Sequence, residues 1–203
     1  MINVIKKIKK KFFFTLLKAG IDRLSFGFIK INLMYFLKYE NIPEFKETRY
    51  YYQLRWADEN DLKSLTECLP KNEIYINRFK RGDHCVVIED HQKKIIGYEW
   101  FTINPTHLEL ITGYNVVVPN NSIFAYDAYI IPEYRIRGIW VAFKKKSVDL
   151  MRKYNRINII TFVFSGNKLS LNTHFRFGFV IYQRVISLKL FNFNFYRVKQ
   201  IKS

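Results

Sequence analysis

Apolar positions recur with two different periods along this chain. Ile2, Ile5, Ile8, Phe12 and Leu16 follow one another every three or four residues, with Lys6, Lys7, Lys10 and Lys11 largely off that stripe and Lys9 near it. This is the spacing of a basic amphipathic helix. Large apolar residues over 31–39 then predict a strand that ends near residues 41–43. From residue 50 the chain alternates between strand and helix patterns. Residues 50–56 read as a strand. Asp58 is a good N-cap with Asp61 as its capping-box partner, which predicts a helix to about residue 69. A second short helix is expected over about 70–79, ended by Gly82. Strands over 85–89 and 94–103 are joined by a turn at 90–93. Residues 104–120 contain Pro105, Gly113 and Pro119 and read as a loop, with a short strand over 115–118.

The second half keeps the alternation. Residues 123–131 form a strongly apolar strand that runs into Pro132-Glu133-Tyr134-Arg135-Ile136-Arg137-Gly138-Ile139. A helix follows to about residue 154 with Ile139, Ala142, Phe143 and Leu150 on one face. Residues 157–164 read as a buried strand. Ser165-Gly166-Asn167 opens a helix that Gly178 ends, and strands over 180–190 and 193–198 close the chain. This order of elements means an α+β (α/β-like) fold. It divides the chain into a basic N-terminal extension with an added strand, residues 1–48, and a domain over 49–203.

With 203 residues there is room for one ordinary domain plus an extension. At 49% hydrophobic and 25% charged residues the chain can build a core, which excludes a mostly disordered protein. The 34 Lys and Arg against 17 Asp and Glu give a net charge of +17 and call for an anionic partner: a nucleic acid, an anionic lipid surface or a phosphate-bearing ligand. Cys68 and Cys85 are the only cysteines, with no zinc spacing, which speaks against a disulfide scaffold and for a reducing cytoplasm. The apolar runs over 12–17, 24–29 and 31–37 are broken by Lys18 and Lys30, short of the roughly 18–20 residues a spanning helix needs. Nor does a small-residue cleavage site follow the basic start. The N-terminal helix therefore has three readings: it packs on the domain, it lies through residues 1–18 on the anionic inner face of a membrane, or it docks on a nucleic acid or protein.

The segment that points to chemistry is the turn at 135–139 between an apolar strand and a helix. A helix start offers unpaired N–H groups and the positive end of the dipole, Gly138 allows close approach of the backbone, and Arg135 and Arg137 add charge. A diphosphate suits such a turn. Here the sequence resembles the GNAT superfamily of acyl-CoA-dependent N-acyltransferases. Its Arg/Gln-x-x-Gly-x-Gly/Ala signature is matched by Arg135-Ile136-Arg137-Gly138-Ile139-Trp140 after Ile131-Pro132. Its Asn-x-x-Ser/Ala stretch ending in Gly-Phe is matched by Asn167-Lys168-Leu169-Ser170 and Gly178-Phe179. Leu54 to Leu62 echoes the family's first strand and helix, and Ile96-Gly97-Tyr98 its hairpin. The marks run in the family's order from about residue 50 to the end.

The resemblance implies a central mixed, mostly antiparallel twisted sheet flanked by helices. Acyl-CoA would bind where two parallel strands splay apart. The N–H groups from Arg135 through Ile136, Arg137, Gly138 and Ile139 to Trp140 would cradle the pyrophosphate. The main chain of Tyr129, Ile130 and Ile131 would pair with the pantetheine, and Asn167 would contact it. The function implied is transfer of an acetyl group from acetyl-CoA, or another acyl group from its CoA ester, to a primary amine of a small molecule or amino sugar by direct attack. Two positions depart from the pattern. Trp140 replaces a Gly or Ala, so its indole either crowds the phosphates or points aside. His174 stands where many members have a Tyr that protonates the thiolate; it either does that work or is a half-buried helix residue. For the general base, Asp127 sits in an apolar strand and is either that base or a structural ion pair, for instance with an Arg. Glu99 is the second candidate, or a solvent-facing residue. His84, His91 and His107 show no metal spacing, and no metal is expected. Lys144, Lys145 and Lys146 read as a solvated helix face, with contact to the CoA 3′-phosphate as the lesser reading. The competing function is a non-enzymatic membrane-surface or partner-binding protein on a degenerate form of the same fold. Nucleic-acid binding ranks last, since no RNP-like, zinc-finger or KH pattern is present.

Overall fold

The computed structural model describes residues 29–40, 52–135 and 138–201. The expected N-terminal helix lies outside them. The described residues hold ten strands and four α-helices, in the α+β arrangement read from the element order. They fall into two compact units: those within 39–107 and 117–161, and residues 29–38 with 108–116 and 162–201.

In the larger unit β2 (Gln53–Ala57), β3 (His84–Glu89), β4 (Ile95–Thr102) and β7 (Ser122–Ile130) pair antiparallel in that order. β7 then pairs parallel with the start of β8 (Asn158–Phe164). Every residue of β4 is buried, as a strand covered on both faces requires. Asp58 and Asp61 form the expected capping box: the Asp58 carboxylate accepts from the Asn60 N–H at 2.8 Å and the Asp61 carboxylate from the Asp58 N–H at 3.0 Å. The turn they cap is a 3-10 turn, and the α-helix proper, α1 (Leu62–Cys68), begins after it. α2 (Asn72–Lys80) and α3 (Ile139–Lys153) complete this unit.

α3 buries Ile139, Ala142, Phe143 and Leu150, the face expected from the pattern. It also buries Lys144 completely, which corrects the reading of a solvated lysine face. The Lys144 ammonium lies 2.5 Å from a carboxylate oxygen of Glu99, itself 3% exposed, so Glu99 does not face solvent either. The rings of Trp140 and Phe101 close round the ammonium at 5.0 and 5.6 Å. Burial pushes Glu99 up and Lys144 down from their ordinary values, and the opposite charge of each partner resists that shift. A helical period explains the placement: Lys144 shares a column with Trp140, Val148 and Met151, the side that meets β4.

In the smaller unit β1 (Ile29–Tyr39), β9 (Val180–Leu190) and β10 (Phe193–Gln200) are antiparallel, in the order β10-β9-β1-β8. The strand expected over 31–39 is therefore a full member of a sheet. α4 (Lys168–Arg176) starts at Asn167 and ends before Gly178. Within the region expected as a loop, β6 (Asn115–Val117) is the foreseen short strand and β5 (Thr106–Leu108) is an unforeseen partner for it. The tip between them is tied by Glu109, whose carboxylate accepts from the Ile111 N–H, the Thr112 N–H and the Thr112 hydroxyl. Tyr196 of β10 donates to the Thr112 carbonyl at 2.9 Å.

Removing one member of a sealed ion pair strands the other. Lys144→Met alone is expected to destabilise the chain by about 3–5 kcal/mol, while Glu99→Met with Lys144→Met recovers most of that loss. Denaturant unfolding of the three variants measures it; equal losses in the single and double variants would contradict the buried pairing.

Candidate active site

The hydrogen-bond register between β4 and β7 breaks at one place. Tyr98 faces Tyr129 and Trp100 faces Tyr126, so Asp127 and Ala128 together oppose Glu99. This is a β-bulge, and it bends the strand and re-aims the side chains on it. Asp127 takes the left-handed conformation, φ 44°, which a short polar side chain tolerates better than a branched one. β7 is buried from Ser122 to Tyr126 and opens from Asp127 onward. The parallel ladder to β8 covers only Ser122–Asn158, Ile123–Ile159 and Phe124–Ile160, ending two residues before the bulge.

The Asp127 carboxylate meets Lys71 at 2.9 and 3.2 Å and Arg78 at 2.5 Å. These residues stand at the two ends of α2, so the bulge and the helix are tied by one acid. The Arg78 guanidinium lies over the rings of Tyr126 and Trp100, at 4.9 and 5.2 Å, and is 7% exposed. Burial and cation–π contact together hold it in place. Of the two alternatives open for Asp127, the structural ion pair is thus present, with Arg78 as the arginine. Glu99 and Asp127, the two acids proposed for proton transfer, flank the same bulge and each is engaged by cations.

Next to the bulge Tyr126 donates to Asp83 at 2.7 Å, and Arg81 also grips Asp83. His107 packs against Tyr126 with ring centres 4.1 Å apart and the ring planes tilted by 49°. Burial, reinforced by the nearby Arg81, pushes the His107 imidazole down to about 4, so it is neutral at pH 7. None of this cluster stood out in the sequence.

Downstream, Gly97 brings β4 close to the end of β7. A Cβ at this position would lie 2.9 Å from the Tyr129 carbonyl oxygen and 3.3 Å from Ile130 Cγ1. The Ile131 N–H donates to the Ile96 carbonyl, and Arg135 Nε donates to the Ile130 carbonyl at 3.0 Å. Of the main-chain groups proposed for pantetheine, these two are therefore already engaged. Pro132–Tyr134 make one 3-10 turn, and Ile136 and Arg137 lie outside the described residues. Gly138 caps α3 with φ 76°, a conformation suited to glycine, and its carbonyl takes the first helical bond from the Ala142 N–H. The Ile139, Trp140 and Val141 N–H groups belong to the first turn, which has no intrahelical acceptors. The Trp140 indole points along the helix flank onto Lys144, the second of its two alternatives.

In the smaller unit, Asn167 caps α4 by accepting from the Ser170 N–H at 3.0 Å. His174 is 5% exposed, and its Nδ1 lies 2.7 Å from the Ser170 carbonyl. A carbonyl only accepts, so Nδ1 carries the proton. Phe179 packs edge-on against the ring at 5.0 Å. Among the described residues no group of acids, histidines and cysteines could hold a metal ion.

No family model matches the chain, and no curated protein matches it. Solved structures do. A putative acetyltransferase of the GNAT family from Novosphingobium aromaticivorans DSM 12444 superposes with a TM-score of 0.57 at 12% identity, over 77% of this chain and 63% of that one. A tandem GNAT protein from the clavulanic acid biosynthesis pathway gives 0.55 at 11% identity over 76% of this chain, which spans about half that protein's length, 51%. An aminoglycoside antibiotic 6′-N-acetyltransferase from Acinetobacter baumannii gives 0.50 at 13% identity, over 64% and 90%. The chain has the GNAT fold, as the motifs around Gly138 and Asn167 imply.

Two outcomes follow from this geometry. Gly97→Ala forces the β7 end away from β4 and is expected to cost about 1–3 kcal/mol in thermal unfolding, with Gly166→Ala, where a Cβ meets open space and the backbone is not left-handed, as the control. For His107, the unfolded imidazole binds its proton near pH 6.5 and the folded one only near 4. The unfolded state therefore holds more protons between those values, and stability is full above 6.5 and lost as the pH falls toward 4. The expected loss is at most about 3 kcal/mol, and His107→Phe should flatten the melting temperature between pH 6.5 and 5.

Proposed function

We propose that this chain is an acyl-CoA-dependent N-acyltransferase that moves an acetyl group from acetyl-CoA to a primary amine of a small molecule or amino sugar. The observation that carries the reading is the start of α3. A left-handed Gly138 opens a 15-residue helix, one 3-10 turn after a bulged strand whose ladder to its parallel partner stops at Phe124. The first-turn N–H groups and the helix dipole suit a diphosphate there, and Arg135, with Arg137, supplies charge for it. To pair with the pantetheine, the Ile130 carbonyl exchanges its bond from Arg135 for one from the ligand, which frees the guanidinium for phosphate oxygens.

The chemistry asks little of the protein beyond placement: the amine attacks the thioester carbonyl, its proton leaves, and the thiolate is protonated. Glu99 is sealed under Lys144, so Asp127 is the acid of the two that a substrate can reach. The incoming amine takes the place of Lys71, the more exposed of its two partners, while Arg78 keeps the carboxylate aimed. The pantetheine contact of Asn167 and proton delivery by His174 remain what the resemblance implies for those positions. The setting proposed is the cytoplasm, where the buried free thiols Cys68 and Cys85 stay reduced.

Acetyl-CoA at a hundredfold excess over its Kd should raise the melting temperature by about 5–10 °C. Gly138→Val, which obstructs the turn, should abolish the rise, and Asp127→Asn should keep it while lowering kcat. No rise at about 1 mM acetyl-CoA would sink acyl transfer and leave a binding protein on the same fold.

A further inference from the structure

The β1-β9-β10 sheet of the smaller unit has two unlike faces. On one, Met34, Phe36, Val185 and Ser187 are buried, and the hairpin tip at Thr112 lies over β10 through Tyr196. The register places a second set of side chains on the other: Ile31 beside Leu188, Leu33 beside Ile186, and Phe193 and Phe195 beside Leu190 and Leu188. These are as apolar as a core, yet none of them is buried, and Phe193 and Phe195 are 68% and 54% exposed. In a strand with one covered face, the alternate positions are normally polar.

The charges on this sheet are of one sign. β1, β9 and β10 carry Lys30, Lys38, Arg184, Lys189, Arg197 and Lys199, and no Asp or Glu. Lys30 stands directly opposite Lys189, and Arg184 directly opposite Lys199. All four are exposed. Like charges in register across a strand pair repel, and an anion shared between them removes the repulsion. Side chains alternate between faces, so Lys30 and Lys189 stand on the side of Met34 and Val185, while Arg184 and Lys199, with Arg197, share the side of Ile186, Leu188, Phe193 and Phe195.

We propose that this sheet docks on an anionic lipid bilayer, with Phe193 and Phe195 entering the headgroup boundary and Arg184, Arg197 and Lys199 meeting lipid phosphates and carboxylates. A second copy fits poorly, because a face-to-face contact covers Arg184, Arg197 and Lys199 with strands that carry no acid to pair them. A nucleic acid would use the aromatic rings for stacking, but it leaves Ile31, Leu33, Ile186 and Leu188 without an apolar partner. A bilayer interface satisfies both the apolar face and its charge. The proposal is independent of acyl transfer, and it concerns residues other than the basic stretch at 1–18.

The test is co-sedimentation of the full chain with phosphatidylcholine vesicles, with and without phosphatidylserine. Binding is expected only with phosphatidylserine, weakened by salt, and reduced about tenfold or more by Phe193→Ser with Phe195→Ser and by Arg197→Gln with Lys199→Gln. The four side chains are exposed, so melting curves of the variants should match the unsubstituted chain. No binding to the anionic vesicles overturns the proposal. Unchanged binding of both double variants overturns it too, assigning any membrane contact to another part of the chain. So does a loss of affinity confined to single-stranded RNA, or a dimer in sedimentation velocity that the variants dissolve. The acetyl-CoA melting shift should survive in every variant, which separates this result from the fate of the acyltransferase reading.

Discussion

Taking a carboxylate and an ammonium out of water costs several kcal/mol each, and only a close partner, shielded from water, repays it. Glu99 and Lys144 meet that condition between β4 and α3, sealed by Trp140 and Phe101. The position of Glu99 is not arbitrary. It is the single β4 residue opposite the bulge in β7, so the pair clamps the helix to the sheet at the level where the sheet is irregular. A packed apolar contact could slide by a fraction of an ångström; a buried ion pair leaves one geometry satisfied and the others costly. The start of α3, about one and a half turns from Lys144, is placed by that clamp.

The bulge has a second charged fastening on the side of α2. Asp127, turned out by its left-handed backbone, holds Lys71 and Arg78, and Arg78 is in turn laid over Tyr126 and Trp100. Both elements that border the irregular end of β7 are thus fixed by acid–base contacts rather than by apolar packing alone. Such a site keeps its shape when a ligand replaces water, which is what placing two reactants asks of a protein. The cost is a set of buried charges, and the depressed His107 shows how far that environment disfavours an added proton.

Much of the fold was legible because it rests on local patterns. Period-two runs such as 180–190 and the capping box at Asp58 are local, and the strands and helices lie close to where the pattern puts them. Gly138 was legible too, since a strand, a glycine and a helix in succession leave little choice of backbone. The clamp was not. Lys144 sits in a run of three lysines whose composition says solvent, and only the combination of Trp140, Val148 and Met151 in its column with a lone Glu99 in an apolar strand could have exposed it. The bulge is a property of two strands in register, so Asp127 could be noticed as an odd acid but not turned toward α2. The network of Arg81, Asp83, Tyr126 and His107 joins residues from three separate stretches, and no spacing along the chain announces it.

The charge of the chain is likewise divided between tasks. Lys71, Arg78 and Lys144 are spent inside the larger unit, while the strands of the smaller unit carry basic residues without any acid to balance them. The helix start that the clamp positions can be examined in a crystal structure of the chain with acetyl-CoA. Diphosphate oxygens are expected within hydrogen-bond reach of the Ile139, Trp140 and Val141 amides, with the indole still against Lys144. A cofactor bound elsewhere, or an indole lying in the turn where the diphosphate should be, would contradict that expectation.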